Sequence, residues 1–274
     1  MDVLRRILEE KSREVAGLRG RRNALEAAAR DAPEPRGFAR AVRSAREVRV
    51  VAEFKRRAPS AGRLADAGAD AAATCRAYAQ AGAAALSVLT DAAHFGGSLD
   101  DLLAARSASS LPVLRKDFVI DSVQVFEARA AGADAVLLIA RALDAARLVD
   151  LGAAAAETGM DALVEVHDAG ELASALSAGA TLVGINSRDL ATFDTDLGRI
   201  ERLAADVPEH VTLVGESGVR DAADVRRLGA AGVHAVLVGS ALMRSGDAGA
   251  AARGLVGHER VARAEAARAA GGRA

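Results

Sequence analysis

The stretch Val50–Lys55 places an acidic and a basic side chain at the end of an apolar run. Glu53 and Lys55 follow three small or β-branched residues. In a β-strand, alternate side chains point to the same face, so these two would lie side by side. An opposite-charge pair is costly to bury unless it has a use. One interpretation is a site for acid–base chemistry, and the other is an exposed salt bridge at a strand end.

Polar side chains end the later apolar runs as well. They are Ser87, Thr90 and Asp91, then Lys116 and Asp117, Arg141, Glu165 and His167, Asn186 and Arg188, Glu216 and Ser217, and Ser240. Each has a structural explanation when taken alone, since Lys116 would suit a solvated loop, Glu165 an ion-pair network and Asn186 a turn. If all the ends share one rim, however, three carboxylates and two lysines converge there. Such a concentration of charge is typical of a site that binds or transforms a ligand.

Glycine and serine residues follow the last two runs, in Gly215–Gly218 and Gly239–Ser240. Glycine allows backbone N–H groups to approach a ligand closely, and a short helix that begins at Ser240 would point its N-terminus at an anion. A phosphate site is therefore predicted there, although tight turns alone would also require glycine. The histidines do not have the spacing of a metal site, and we predict no metal.

These side chains belong to a recurring pattern of a short apolar run followed by a helical stretch. The runs are Val50–Phe54, Ala83–Leu89, Pro112–Leu114, Ala135–Ala140, Ala162–Val166, Thr181–Ile185, Val211–Val214 and Ala235–Val238. Eight such units predict an α/β fold, a (β/α)8 TIM barrel with its chemistry at the carboxyl ends of the strands. The alternative is a doubly wound open sheet, but no G-x-G-x-x-G motif follows the first run.

The segments on either side of the predicted barrel, which spans residues 46–257, have different patterns. Residues 1–45 are predicted to be a helical extension, with an apolar stripe formed by Val3, Ile7, Val15 and Leu18. This extension would either plug one end of a domain or close over a site, and our prediction places it over the barrel mouth. Residues 258–274 are rich in Ala and Arg and are expected to be a frayed helix or disordered.

Composition narrows the classes of function. The chain has 274 residues, is 51% hydrophobic and has a formal net charge of -1, so no overall field favours nucleic acid or an anionic membrane. Aromatic residues make up only 3%, too few for base-stacking platforms. The only cysteine, Cys75, excludes an internal disulfide and suits a reducing compartment. No signal peptide or membrane span is recognisable, and a cytoplasmic enzyme is expected.

Several stretches together resemble one enzyme family. They are Ala52–Ser60, Ser87–Asp91, Phe95–Ser98, Leu114–Phe118, Leu163–His167, Gly184–Leu190, Gly215–Gly218 and Val238–Ser240. This set is similar to that of the indole-3-glycerol phosphate synthases, over about residues 1–257 including the helical extension. Related phosphate-binding barrels share the final Gly-Ser but not the Glu-x-Lys, Arg-Lys-Asp-Phe and Glu-Val-His motifs.

The resemblance implies a reaction in tryptophan biosynthesis. 1-(2-Carboxyphenylamino)-1-deoxyribulose 5-phosphate would close to indole-3-glycerol phosphate with loss of CO2 and water, with no cofactor, metal or obligate protein partner. Lys116 matches the family's general acid, and Lys55 and Glu165 match residues that assist dehydration. Which lysine acts in which step stays open. The remaining catalytic positions of the family are matched by Glu53, Asn186, Glu216 and Ser217.

The resemblance also implies residues that bind the substrate. Arg188 matches a position near the anionic aromatic end, Phe95, Phe118 and Leu190 would form an apolar slot for the ring, and Ser60 matches a further substrate-binding position. The phosphate would be bound by Lys55, Gly218, Gly239 and Ser240.

One departure from the family concerns Ala58, where the family usually has serine, so the hydroxyl group that could contact the phosphate is missing. Two other functions remain as alternatives. An isomerase such as phosphoribosylanthranilate isomerase would lack the Lys116 and Glu165 motifs, and a scaffold without activity would be expected to have lost the charges at the rim.

Overall fold

A closed barrel of eight parallel strands forms the centre of the protein, and the computed structural model describes residues 3–59, 62–66, 68–189 and 192–266. Strands pair with their neighbours in chain order, and the last pairs with the first to close the barrel. They are β1 Glu47–Phe54, β2 Ala85–Leu89, β3 Val113–Lys116, β4 Ala135–Ile139, β5 Asp161–Val166, β6 Leu182–Asn186, β7 Thr212–Glu216 and β8 Ala235–Val238. The predicted (β/α)8 barrel is confirmed, and the open sheet is excluded.

Helices surround the barrel, and aspartate side chains cap several of them. Asp121, Asp144, Asp168 and Asp221 each accept a hydrogen bond from a backbone N–H in the first turn of the helix that follows. The helices are α1 Val3–Arg19, α2 Arg22–Asp31, α3 Phe38–Val42, α4 Ala71–Gln80, α5 Ala92–Phe95, α6 Leu99–Ala108, α7 Ser122–Ala130, α8 Ala145–Glu157, α9 Ala169–Ser177, α10 Leu197–Ala204, α11 Ala222–Ala230, α12 Ser240–Met243 and α13 Ala248–Arg253.

The strands are apolar on both faces because both faces are covered. In β1, Val50 and Phe54 pack beneath the helices, whereas Val51 points into the barrel interior with Leu114 and Leu163. This alternation explains the near-continuous apolar runs in the sequence. It also directs the polar residues at the strand ends towards one rim.

The N-terminal segment contacts both ends of the barrel. Helix α1 lies at the mouth formed by the carboxyl ends of the strands, where Val3, Leu4 and Ile7 line the cavity. Helix α3 lies at the opposite end, where Phe38 is fully buried among the interior side chains and the Ala39 N–H donates to Asp161 at 2.8 Å. Helix α1 therefore lies over the mouth, and helix α3 fills the opposite end. The two roles that the sequence offers as alternatives belong to two different helices.

The beginning of the C-terminal segment packs on the barrel rather than fraying. His258–Glu259 forms a short antiparallel strand against the start of β1. Arg263 is buried and donates to the carbonyl groups of Val207, Pro208 and Val211. Throughout the described ranges, no helix combines the length and apolar character that crossing a membrane requires.

Candidate active site

The carboxyl ends of the strands surround a cavity with a volume of about 180 Å³. Among the residues that line it are the sequence-predicted site residues Glu53, Lys55, Phe95, Lys116, Phe118, Glu165, Asn186, Arg188, Glu216, Ser217, Gly218, Gly239 and Ser240. The strand geometry thus brings together residues that are up to 187 positions apart in the chain. The other two predicted residues, Ser60 and Leu190, lie outside the described residues.

Lys116, the last residue of β3, contacts two carboxylates. Its Nζ lies 3.0 Å from Glu165 Oε2 and 3.5 Å from Glu216 Oε2. Burial favours the neutral amine, but Glu165, Glu216 and Glu53 outweigh burial and raise the pKa of Lys116. Lys116 is therefore an ammonium group, held in a largely dry site beside acceptors of its proton.

The two carboxyl groups next to Lys116 have pKa values that are moved in opposite directions. Burial raises the pKa of Glu216 to about 8, and the negative charges of Glu165 and Glu53 add to this effect although Lys116 opposes it. Burial also disfavours the ionised form of Glu165, but Lys116 and His167 outweigh it and lower its pKa to about 2. The pKa values of the two neighbouring carboxyl groups are therefore well separated, which is typical of acid–base sites.

Gly184 makes room for Glu216 inside the barrel. A Cβ atom at this position of β6 would overlap Glu216 Oε1 and contact Leu163. The glycine therefore allows the Glu216 carboxyl group to lie close to Lys116. The sequence shows this glycine but not the side chain that needs the space.

Glu53 and Lys55, from the end of β1, form a second buried pair. Lys55 Nζ lies 2.6 Å from Glu53 Oε1, and Ser87 Oγ donates to Glu53 Oε2 at 3.3 Å. The Glu53 side chain is 4% exposed and that of Lys55 is 15% exposed. The pair lines the cavity, so the interpretation as an exposed salt bridge is wrong.

The glycine-rich ends of β7 and β8 lie beside this pair. A Cβ atom at Gly239 would overlap Glu53 Oε1 and crowd Lys55 Nζ, so only glycine leaves the pair in place. Ser217 and Gly218 both have positive φ angles, of 64° and 80°. A non-glycine residue in this conformation is uncommon and is typical of functional sites.

Asn186 and Arg188 are organised by the loop after β6. The Asn186 side-chain oxygen accepts a hydrogen bond from the Arg188 backbone N–H at 3.0 Å. The Arg188 guanidinium donates to the Phe193 carbonyl at 2.7 Å. Burial and the neighbouring Arg244 lower the pKa of Arg188. Arg188 lines the cavity, and its positive charge favours an anionic ligand there.

An apolar wall faces the charged groups. Phe95 and Phe118 lie with ring centroids 6.2 Å apart, and Leu4 and Ile7 of α1 also line the cavity. Phe193 is a further lining aromatic residue that the sequence analysis missed. It lies seven positions after the end of β6, and nothing in the local pattern distinguishes it.

A second residue that the sequence analysis missed is Lys11, which attaches α1 to the rim. Its Nζ lies 3.1 Å from Asp91 Oδ2, 3.0 Å from Asp117 Oδ1 and 2.7 Å from Glu14 Oε2, and only 4% of the side chain is exposed. Lys11 falls between Ile7 and Val15 at helical four-residue spacing. This position of a lysine within an apolar stripe is the sequence signal that could have identified Lys11 as a buried residue.

No group of three or more His, Cys, Asp or Glu side chains suited to a metal ion is present in the described part of the chain. Cys75 is buried away from the cavity lining, and burial raises the pKa of its thiol to about 12. Core packing of this cysteine, rather than catalysis, agrees with both observations.

Comparisons with known proteins agree with this geometry. The family profile "Indole-3-glycerol phosphate synthase" matches residues 4–255. An indole-3-glycerol phosphate synthase of Rhodopirellula baltica is 47% identical over 232 residues, covering 85% of this chain and 89% of the relative. Indole-3-glycerol phosphate synthase 2 of Streptomyces coelicolor is 52% identical over 244 residues, covering 87% and 94%.

Among solved structures, 3-hexulose-6-phosphate synthase from Salmonella typhimurium aligns with a TM-score of 0.61 at 15% identity, over 76% of this chain and 96% of that one. At this identity the likeness shows the fold alone. The profile and the two relatives show more, because they span nearly the whole chain at about half identity. The chain belongs to the indole-3-glycerol phosphate synthase family.

Proposed function

We propose that this protein closes 1-(2-carboxyphenylamino)-1-deoxyribulose 5-phosphate to indole-3-glycerol phosphate, with loss of CO2 and water, in tryptophan biosynthesis. The observation that carries the proposed mechanism is the position of the Lys116 ammonium, 3.0 Å from ionised Glu165 and 3.5 Å from Glu216. A site of this kind can both donate and accept protons without a metal ion.

Ring closure requires a proton at the ketone oxygen while the carboxylate-bearing ring carbon attacks the ketone carbon. Lys116 supplies this proton in the proposed mechanism. Because burial and the neighbouring carboxylates raise the pKa of Glu216, this group carries less negative charge beside Lys116 than Glu165 does. A second ionised carboxylate would hold the proton more tightly and weaken Lys116 as an acid. The C–COO⁻ bond then breaks, its electron pair returns to the ring, and CO2 leaves.

Dehydration completes the indole. The hydroxyl group leaves as water with a proton from a lysine, and a carboxylate accepts a proton from the carbon beside the ring nitrogen. Glu165 is the proposed base, because it is ionised and borders the cavity. Lys55 and Lys116 both remain candidates for the acid in this step, since both are at the rim.

The substrate's orientation follows from the polarity of the cavity walls. The aromatic ring is proposed to lie against Phe95 and Phe118, with its carboxylate towards Arg188. The phosphate is proposed to lie at the other end, against Lys55 and the backbone N–H groups of Gly218, Gly239 and Ser240. The buried thiol of Cys75 is compatible with the reducing cytoplasm, which is the proposed location.

The experiment is an assay of the purified protein with the named substrate. We expect indole fluorescence to grow while CO2 is released in equal amount. Phosphoribosylanthranilate serves as the second substrate, because an isomerase would convert it without releasing CO2. Conversion of phosphoribosylanthranilate alone, or no indole product, would contradict the proposed function.

A further inference from the structure

The proposed reaction takes up one proton from water in each turnover. The ketone oxygen gains a proton, the leaving hydroxyl gains another, and the carbon beside the nitrogen loses one. The substrate's carboxylate charge is consumed, because CO2 and water leave as neutral molecules while the phosphate is unchanged. The enzyme therefore ends each turnover one proton short and must recover it from solvent. A substrate packed between Lys116 and the mouth under α1 would obstruct recovery from that side.

A row of ionisable groups leads away from Lys116 on the other side of the rim. Glu165 Oε2 lies 3.0 Å from Lys116 Nζ, and Glu165 Oε1 lies 3.4 Å from His167 Nε2. His167 Nδ1 lies 3.1 Å from Glu171 Oε2. With Lys116 as the acid in both steps, this lysine gives two protons, and Glu165 returns only the one taken from carbon. Resting on the proposed function, we propose that His167 and Glu171 form a proton relay that returns a proton from solvent to Lys116, through Glu165, between ring closure and dehydration.

His167 is buried between the carboxylates of Glu165 and Glu171. The ring is 1% exposed, and Nε2 is a buried atom with no hydrogen-bond partner among the described residues. Its two ring nitrogens face two different carboxylates, which is the arrangement that a histidine shuttle requires.

The relay reaches the surface through Glu171. Its side chain is 14% exposed and pairs with Arg141, whose own side chain is 38% exposed. Asp168, also paired with Arg141, is 56% exposed. Glu171 also accepts the His167 backbone N–H at 2.8 Å, which fixes the ring and the carboxylate relative to each other. The outer end of the row is therefore in contact with water.

Glu165 becomes able to carry the proton when it is needed. Its pKa is lowered mainly by Lys116 and then by His167, against the effect of burial. Once Lys116 has given its proton to the substrate, the first of these attractions is gone and the pKa of Glu165 rises. Glu165 can then take a proton from His167 and pass it across the 3.0 Å contact to Lys116.

The test uses His167→Gln and Glu171→Gln, which keep polar side chains but cannot relay protons. Ring closure in the first turnover uses the proton already on Lys116, so rapid mixing of enzyme with substrate should release the first CO2 at a rate within about threefold of the parent. Steady-state turnover should fall by at least roughly tenfold, within the range of lost proton-transfer steps. Imidazole added at constant pH should restore it. Asp168→Asn is the matched control, because Asp168 contacts Arg141 but is not part of the proposed relay. This variant should behave like the parent.

Two results would overturn the relay. Parent-like steady-state turnover in both variants would show that protons return by another route. Release of the first CO2 slowed as much as the steady state, with no effect of imidazole, would show that His167 only supports the shape of the site. The parent's own first turnover tests the proposed function: if it yields no indole product, that function and the relay both fail, whereas a parent-like His167→Gln refutes the relay alone.

Discussion

Replacement of Lys11 by methionine tests how α1 is attached to the catalytic rim. Methionine has nearly the same length and helix propensity but no charge. The change leaves Asp91 and Asp117, whose side chains are each 2% exposed, without their shared cation. Asp117 keeps its contact with Arg115 at 3.1 Å, so the loss falls mainly on Asp91.

Removing one partner of a buried ion pair costs about 3–5 kcal/mol. Because Asp117 retains Arg115, we expect a value near the lower limit, about 3 kcal/mol. At 2–4 °C per kcal/mol, the melting temperature should fall by roughly 6–12 °C. The control is Arg5→Met on the same helix, whose pair with Glu9 is exposed, and its effect should stay within about 0.5 kcal/mol.

The pH dependence identifies the cause. Burial raises the pKa of Asp117, but Arg115 and Lys11 outweigh burial and lower it from 3.8 to about 2. A carboxyl group with a lowered pKa adds stability above its ordinary pKa, and this stability is lost as the pH falls through the folded value. The part of the Lys11→Met deficit that falls on Asp117 should therefore be full at pH 7 and shrink between pH 3.8 and about 2. Urea unfolding at several pH values measures the difference in free energy of unfolding between the parent and Lys11→Met. A difference that is small at pH 7 or independent of pH would refute the reasoning.

Three further predictions concern the cavity. Inorganic phosphate should inhibit competitively with substrate, because it would occupy the segments at Gly218 and Gly239; noncompetitive inhibition in steady-state kinetics would contradict this. Gly184→Ala should displace Glu216 from Lys116 and lower kcat by about 10²-fold while the circular dichroism spectrum is unchanged, and a parent-like kcat would show that the displacement does not matter. Deleting residues 1–20 removes α1 but keeps α3, so KM should rise more than the melting temperature falls; an unchanged KM with collapsed stability would leave α1 as packing only.

The strand ends were the part of the site that the sequence predicted well. Lys116, Asn186 and Glu216 each occupy the last position of a strand, so the alternation of apolar and polar residues was enough to place them at one rim. The barrel itself was predictable for the same reason, since eight apolar runs with helical stretches between them allow few other closed arrangements.

The protonation states could not be predicted from sequence. Carboxylates and burial act on Lys116 in opposite directions, and only the distances show that the carboxylates win. The same holds for Glu165 and Glu216, which are both glutamates at strand ends and yet have pKa values moved in opposite directions. Their order depends on which one is nearer to Lys116 and His167, and this is a property of side-chain packing.

The two ends of the N-terminal segment could not be separated from sequence either. The apolar stripe of α1 and the short Phe38–Val42 helix both predict buried helices, but nothing local indicates that they cover opposite ends of the barrel. That assignment depends on long-range contacts, such as Lys11 with Asp117 and Ala39 with Asp161.

The central claim is that the Lys116 ammonium protonates the ketone during ring closure, and Lys116→Ala tests it most directly. The purified variant is first shown to be folded by circular dichroism and then assayed with the proposed substrate. We predict that kcat falls by about 10²–10⁴-fold, the usual consequence of losing a general acid. Turnover of the folded variant within tenfold of the parent would contradict the account.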